Sequence, residues 1–126
     1  MTARFSLTPD TLAAYRETIH KRQEAEQKKL ALRRDRAWEI ARQAASLLQE
    51  TFGATRIMVF GSLAHGYWFS RTSDIDMAAW GVKDEDYLVA VARLQDLSPE
   101  FGIDLIRMES CRPGLHEAIL QEGIQL

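Results

Sequence analysis

Between Pro9 and Gly53 the chain carries neither glycine nor proline, and no other feature restricts the fold so strongly. Either residue would stop or bend a helix, so their absence allows one helix through residues 9–52. Thr8-Pro9-Asp10 supplies its start: a capping hydroxyl, a proline preset for the first helical position, and a carboxylate near the positive end of the dipole. A straight helix of this length would run about 66 Å, whereas a compact chain of 126 residues is only about 36 Å across. The segment must break, bend or protrude.

Its second half has a clear apolar stripe, with Trp38, Ala41, Ala45 and Leu48 at helical spacing and Ile40, Ala44 and Leu47 beside them. That half belongs to a core. The first half offers only Leu12, Tyr15 and Ile19 before the polar run of residues 20–29, and packs weakly at best. A break or bend is therefore expected between about Lys28 and Asp35. Arg33, Arg34 and Arg36 read as a solvated helix face, with partner contact as the alternative. Two parts are expected: an N-terminal helical segment, residues 1–52, lying on the core and on a partner, and a core at 53–126.

Downstream of Gly53 the pattern changes. Residues 56–60 form an apolar run that reads as a buried strand, residues 75–80 as a second, and residues 103–108 as a third. Residues 84–97 repeat apolar positions at helical period, and a last helix is expected over 113–123. This order predicts an α/β or α+β fold, a small mixed sheet with flanking helices. A hydrophobic fraction of 46% and a charged fraction of 27% are those of a soluble globular domain. Cys111 is the only cysteine, no signal peptide or membrane-length apolar run is evident, and a cytoplasmic setting is expected. Residues 1–50 carry a net charge of +3 and residues 51–126 one of −5, so direct binding of nucleic acid is not expected.

The acidic half holds the chemistry. Gly61-Ser62 follows the first strand, and Asp74-Ile75-Asp76 opens the second. On a strand, residues i and i+2 face the same way about 6.6 Å apart, so Asp74 and Asp76 present paired carboxylates. Such a pair suits a hard divalent ion, and Mg²⁺ binds through one or two carboxylates while substrate phosphates complete its shell. Asp104, between Ile103 and Leu105, is a charge inside an apolar strand and a third ligand if that strand lies alongside. Gly61 lets the backbone turn close to phosphate, and Ser62 offers a hydroxyl and an amide.

With an eleven-residue gap between the Gly-Ser pair and the Asp pair, the pattern resembles the DNA polymerase beta nucleotidyltransferase superfamily. Gly61-Ser62-Leu63-Ala64-His65-Gly66 together with Ser73 to Gly81 is similar, more closely, to the minimal nucleotidyltransferase (MNT) family, many of whose members are antitoxins paired with HEPN ribonuclease toxins. The resemblance spans about residues 54–124. It implies that Gly61 and Ser62 form the triphosphate loop, Asp74 and Asp76 are catalytic metal ligands, and Asp104 is the third carboxylate. Leu63 and His65 stand where the family often has arginine, which leaves Arg71 as a compensating cation and His65 and Ser73 as further nucleotide contacts. The implied activity is Mg²⁺-dependent transfer of AMP from ATP to a tyrosine of the partner toxin.

Taken singly, these residues have plainer readings. Ser62 and His65 are ordinary turn residues, and Asp74, Asp76 or Asp104 could each sit at a solvated strand end. Tyr67-Trp68-Phe69 could stack on a base, face a partner, or form a small satellite core. His20 and His116 are expected to be solvent-exposed on helices. At the level of function, a non-catalytic antitoxin that neutralises its partner by covering it is the alternative, and transfer to a small molecule such as an aminoglycoside is a third reading.

Overall fold

The computed structural model describes residues 8–126; residues 1–7 of the expected N-terminal segment lie outside the described residues. Helix α1 (Pro9–Phe52) is followed by β1 (Arg56–Phe60), the short helix α2 (Gly61–His65), β2 (Ile75–Trp80), α3 (Tyr87–Gln95), β3 (Ile103–Arg107), α4 (Pro113–Glu122) and β4 (Ile124–Gln125). Single turns of 3-10 helix, Asp84–Asp86 and Met108–Ser110, precede α3 and follow β3. The four strands form one mixed sheet in the order β3-β2-β1-β4, with β2 antiparallel to β1 and parallel to β3. The expected sheet flanked by helices is thus present, with β4 an added short edge strand. The helix expected over 84–97 is narrower, because its acidic start folds as a 3-10 turn with no side-chain cap.

No break interrupts α1. Thr8 Oγ1 accepts the Thr11 amide at 3.1 Å, and Gly53, at a φ of 72°, ends the helix in the left-handed conformation. The expected bend between Lys28 and Asp35 is absent because nothing local calls for one. The run is rich in Ala, Leu, Glu, Gln, Lys and Arg, and exposed pairs such as Glu17–Lys21 lie one turn apart. Compactness does not require a bend either. Apart from Leu12 and Leu30, which are half-buried, every described residue before Arg33 is exposed, so the first half of α1 protrudes.

The second half anchors the helix. Ala37, Ala41, Ala44, Ala45, Leu48 and Phe52 are buried along one face, where the small alanines let helix and sheet approach closely. They join Ile57, Val59, Ile75, Met77, Ala79, Ile103 and Leu105 in the main core, completed by Leu63, Ala90 and Leu94 from α2 and α3. The alternate strand positions face the other way. There Met58 and Ala78 pack with Met108 and Ile119 in a smaller cluster edged by Phe60, Trp80 and Ile106. Asp76 and Asp104 share that second face by the same two-residue period.

The outer edge of β3 is closed by side chains. Gln95 donates to the Ile103 carbonyl and accepts its amide, and Tyr87 Oη donates to the Leu105 carbonyl at 2.6 Å. These bonds occupy backbone groups that would otherwise recruit a foreign strand.

Candidate active site

The sheet register decides which acidic residues meet. Asp76 of β2 is paired with Asp104 of β3 on one side and with Phe60, the last residue of β1, on the other. Asp76 is half-buried, and its carboxyl is pushed up from 3.8 to about 6: burial contributes most, followed by the charge of Asp104, a hydrogen bond with Asp104 and the charge of Asp74. Asp104 itself is exposed. Its apolar neighbours Ile103 and Leu105 point to the opposite face, so the expected desolvation of a charge inside an apolar strand does not occur. What holds from that expectation is the juxtaposition with Asp76.

Asp74 lies one residue before β2 and is exposed. Its carboxylate leans over Gly102, where a side chain would bring a Cβ to 2.9 Å from Oδ1. By sequence alone, Gly102 reads as no more than punctuation, with Pro99, before the third strand. Its value lies in the register, because Ile75 donates to the Gly102 carbonyl at 2.9 Å and so sets Asp74 directly above it.

Gly61 and Ser62 are not an open loop but the first residues of α2. Gly61 has a φ of 70°, and a Cβ built there would run into Asp76 Oδ2. Glycine is therefore required twice, for the backbone conformation and for room beside the carboxylate. Phe60 precedes the helix and provides no side-chain cap, which leaves the amides of the first turn open to an anion at the same place. The Gly-Ser pair and the Asp pair, separated by eleven residues, are in contact.

The end of α2 and the connector to β2 hold the remaining predicted residues. His65 is exposed, and its Nδ1 accepts the Tyr67 amide at 2.9 Å, so only Nε2 is left to face a ligand. Ser73 Oγ accepts the Ser70 amide at 2.8 Å and serves to knot the connector. Arg71 is exposed. The aromatic run divides: Phe69 packs against the main core, while Tyr67 is 72% and Trp68 90% exposed, the latter at a φ of 63°. His116 is half-buried, edge-on to Trp80, rather than solvated as expected.

The arginines of α1 depart furthest from expectation. Arg33 and Arg34 are partly buried and bind the chain itself, whereas Arg36 is exposed, as expected of a solvated face. Arg33 donates to the Ser70 carbonyl at 3.2 Å and the Ser73 carbonyl at 3.1 Å, and stacks over Phe101. Arg34 donates to the Leu63 carbonyl at 3.2 Å and lies against Gly66. Arg36 forms a salt bridge with Glu100 at 2.6 Å. The clue available in the sequence was position: the three arginines sit where the apolar stripe begins.

The donor set suits a hard cation. Asp76 and Asp104 are register partners on adjacent strands, and Asp74, one residue before β2, adds its charge to theirs at Asp76, where burial remains the larger cause of the shift. Among the described residues no three such side chains are close enough to enclose an ion by themselves. A cation held here would take further ligands from outside these side chains.

Comparison with known proteins bears on the family and the fold. The family model for polymerase beta nucleotidyltransferases matches residues 42–126. Among solved structures, a chain described as a minimal nucleotidyltransferase is 27% identical, with 79% of this chain and 94% of that chain covered and a TM-score of 0.52. A toxin-antitoxin structure with AMP-PNP includes a chain 24% identical, covering 64% of this chain and 67% of that one at a TM-score of 0.56. A mutant of the MntA-HpeT toxin-antitoxin is 22% identical over 68% and 70% of the two chains, at a TM-score of 0.57. The last two likenesses show the fold. No curated protein matches the chain. Among the described residues no helix is long and apolar enough to cross a membrane. Since the matched family segment takes in the whole sheet, α2 and all three acidic residues, the chain belongs to the polymerase beta nucleotidyltransferase family.

Proposed function

We infer that the chain is a Mg²⁺-dependent nucleotidyltransferase antitoxin, acting in the cytoplasm, which transfers AMP from ATP to a tyrosine of a HEPN-type toxin and so neutralises it. The observation that carries this reading is the contact between Gly61 and the Asp76 carboxylate, since it joins the phosphate-binding turn to the acidic pair. Similarity to toxin-antitoxin structures, one of them with AMP-PNP, supports the partner and the nucleotide.

In this reading Asp74, Asp76 and Asp104 would hold Mg²⁺, and the ion would supply neutralisation of phosphate charge. The amides of Gly61 and Ser62 and the Ser62 hydroxyl bind and orient the triphosphate, with His65 Nε2 at the end of α2 and Arg71 and Ser73 on the connector as further contacts. The phenol oxygen of the acceptor forms a bond to the α-phosphorus while the bond from that phosphorus to the bridging oxygen breaks. The phenolic proton passes to Asp104. Positioning and charge neutralisation supply most of the rate.

The test is transfer of α-phosphate label from ATP to a HEPN-type ribonuclease. Label is expected with Mg²⁺ and should fall by at least about 10²-fold in Asp74→Ala and Asp76→Ala. Wild-type transfer by both variants would sink the assignment. A second reading, neutralisation by binding alone, is favoured by the exposed first half of α1. In that case both aspartate variants still silence the toxin, and removal of residues 1–28 does not.

A further inference from the structure

The two adjacent arginines of α1 reach opposite ends of the segment that carries the site. Arg33 has its side chain only 13% exposed, held between the Ser70 and Ser73 carbonyls, the Phe101 ring and Glu100. Ser73 immediately precedes Asp74, and Phe101 immediately precedes Gly102, over which Asp74 leans. One guanidinium therefore fixes both the residue before the carboxylate and the residue before its seat. Arg34 acts one helix earlier. It donates to the Leu63 carbonyl near the C-terminal end of α2 and packs against Gly66, the left-handed residue that closes this helix. A cation there also complements the negative end of the α2 dipole.

We propose that Arg33 and Arg34 are separate positioning residues of this site: Arg33 sets Asp74 for the divalent ion, and Arg34 sets α2 for the triphosphate. The proposal rests on the nucleotidyltransferase reading. It follows from the division of bonds, since Arg33 makes none to α2 and Arg34 makes none to the β2 end of the connector. Residues that orient a metal ligand from behind typically govern affinity about 10- to 100-fold. The role of Arg33 is not open to lysine, because one ammonium cannot reproduce a planar fork directed at two carbonyls.

The experiment measures Mn²⁺ binding by electron paramagnetic resonance and AMP-PNP binding by calorimetry, on the full chain, with the melting temperature recorded for each variant. Arg33→Ala and Arg33→Lys are expected to weaken Mn²⁺ by about tenfold or more while metal-free AMP-PNP binding stays within about twofold. Arg34→Ala should do the reverse, and Arg34→Lys should recover part of the loss, because one donor and a positive charge suffice at the end of α2. Glu100→Gln loosens the outer salt bridge of Arg33, and that of Arg36, but keeps both carbonyl bonds of Arg33, and should bind Mn²⁺ as the wild type does. The proposal is overturned if both arginine variants bind both ligands normally, or lose both in step with the melting temperature. Wild-type protein that binds both ligands but transfers no AMP would defeat the transfer reading alone, leaving the arginine roles to be decided by the binding data.

Discussion

Residues 9–32 and 33–52 belong to one unbroken helix, yet different forces form its two halves. The inner half buries six residues, four of them alanine, against the sheet and α2. The outer half buries none and relies on backbone propensity, the Thr8 cap and exposed pairs one turn apart. Helix continuity is thus decided locally, whereas packing decides only where the helix is anchored. The arginines at the junction mark the boundary: Arg33 and Arg34 are the first residues of α1 to grip the nucleotidyltransferase core.

This contrast can be broken most sharply by function. Asp76→Asn should lower AMP transfer by at least about 10²-fold and leave toxin binding intact, because the carboxylate faces the Gly-Ser turn rather than the arm. Removing residues 1–28 should do the opposite, weakening toxin capture while AMP-PNP binding by calorimetry is unchanged. If the deletion abolished nucleotide binding, the two halves would not be separable in function.

Stability gives the next largest effect. Leu48 is fully buried, and Leu48→Ala should cost about 3 kcal/mol in chemical denaturation through lost burial and a residual cavity. Ile19→Ala, at a side chain 37% exposed, should cost less than about 0.5 kcal/mol. Equal losses would mean that the outer half is docked on the core.

These differences also explain what the sequence revealed. The three longer strands and the inner stripe of α1 follow from period and spacing, because short-range sterics and a two-residue alternation leave few options, whereas the contact of Gly61 with Asp76 depends on the β1–β2 register. The continuity of α1 was missed because the change from a polar to an apolar pattern was taken for a break, although the size argument also allowed the helix to protrude. The roles of Arg33 and Gly102 were missed for another reason: each depends on a partner far along the chain, Ser73 and Asp74 respectively, and no local pattern encodes that meeting. Asp104 was picked out through a burial argument that its exposure removes, but its register with Asp76 brings it to the same site.

A smaller effect separates the site from the rest by pH. Asp76, at about 6 in the folded chain against an ordinary 3.8, binds its proton more tightly when folded, chiefly because of burial. The metal-free protein should therefore lose this contribution to stability as pH rises from about 4 through 6. Glu100 tilts the other way: its hydrogen bond to Arg36 holds its carboxyl low, so its contribution is lost as pH falls. Comparing wild type with Asp76→Asn isolates the first slope, which should vanish in the variant. An unchanged slope would remove Asp76 as its source.

The smallest expected effect probes the outer half directly. Glu17 and Lys21 lie 3.3 Å apart one turn along the helix, with side chains 67% and 72% exposed, so solvent screens most of their attraction. A double-mutant cycle with Glu17→Ala and Lys21→Ala should give a coupling of about 0.3 kcal/mol that shrinks as salt is raised. Far-UV circular dichroism should register a small loss of helix while the main unfolding midpoint stays put, because no buried residue connects this turn to the core. A shift of that midpoint would show that the arm and the core unfold together, and the boundary at Arg33 would then separate two surfaces rather than two cooperative units.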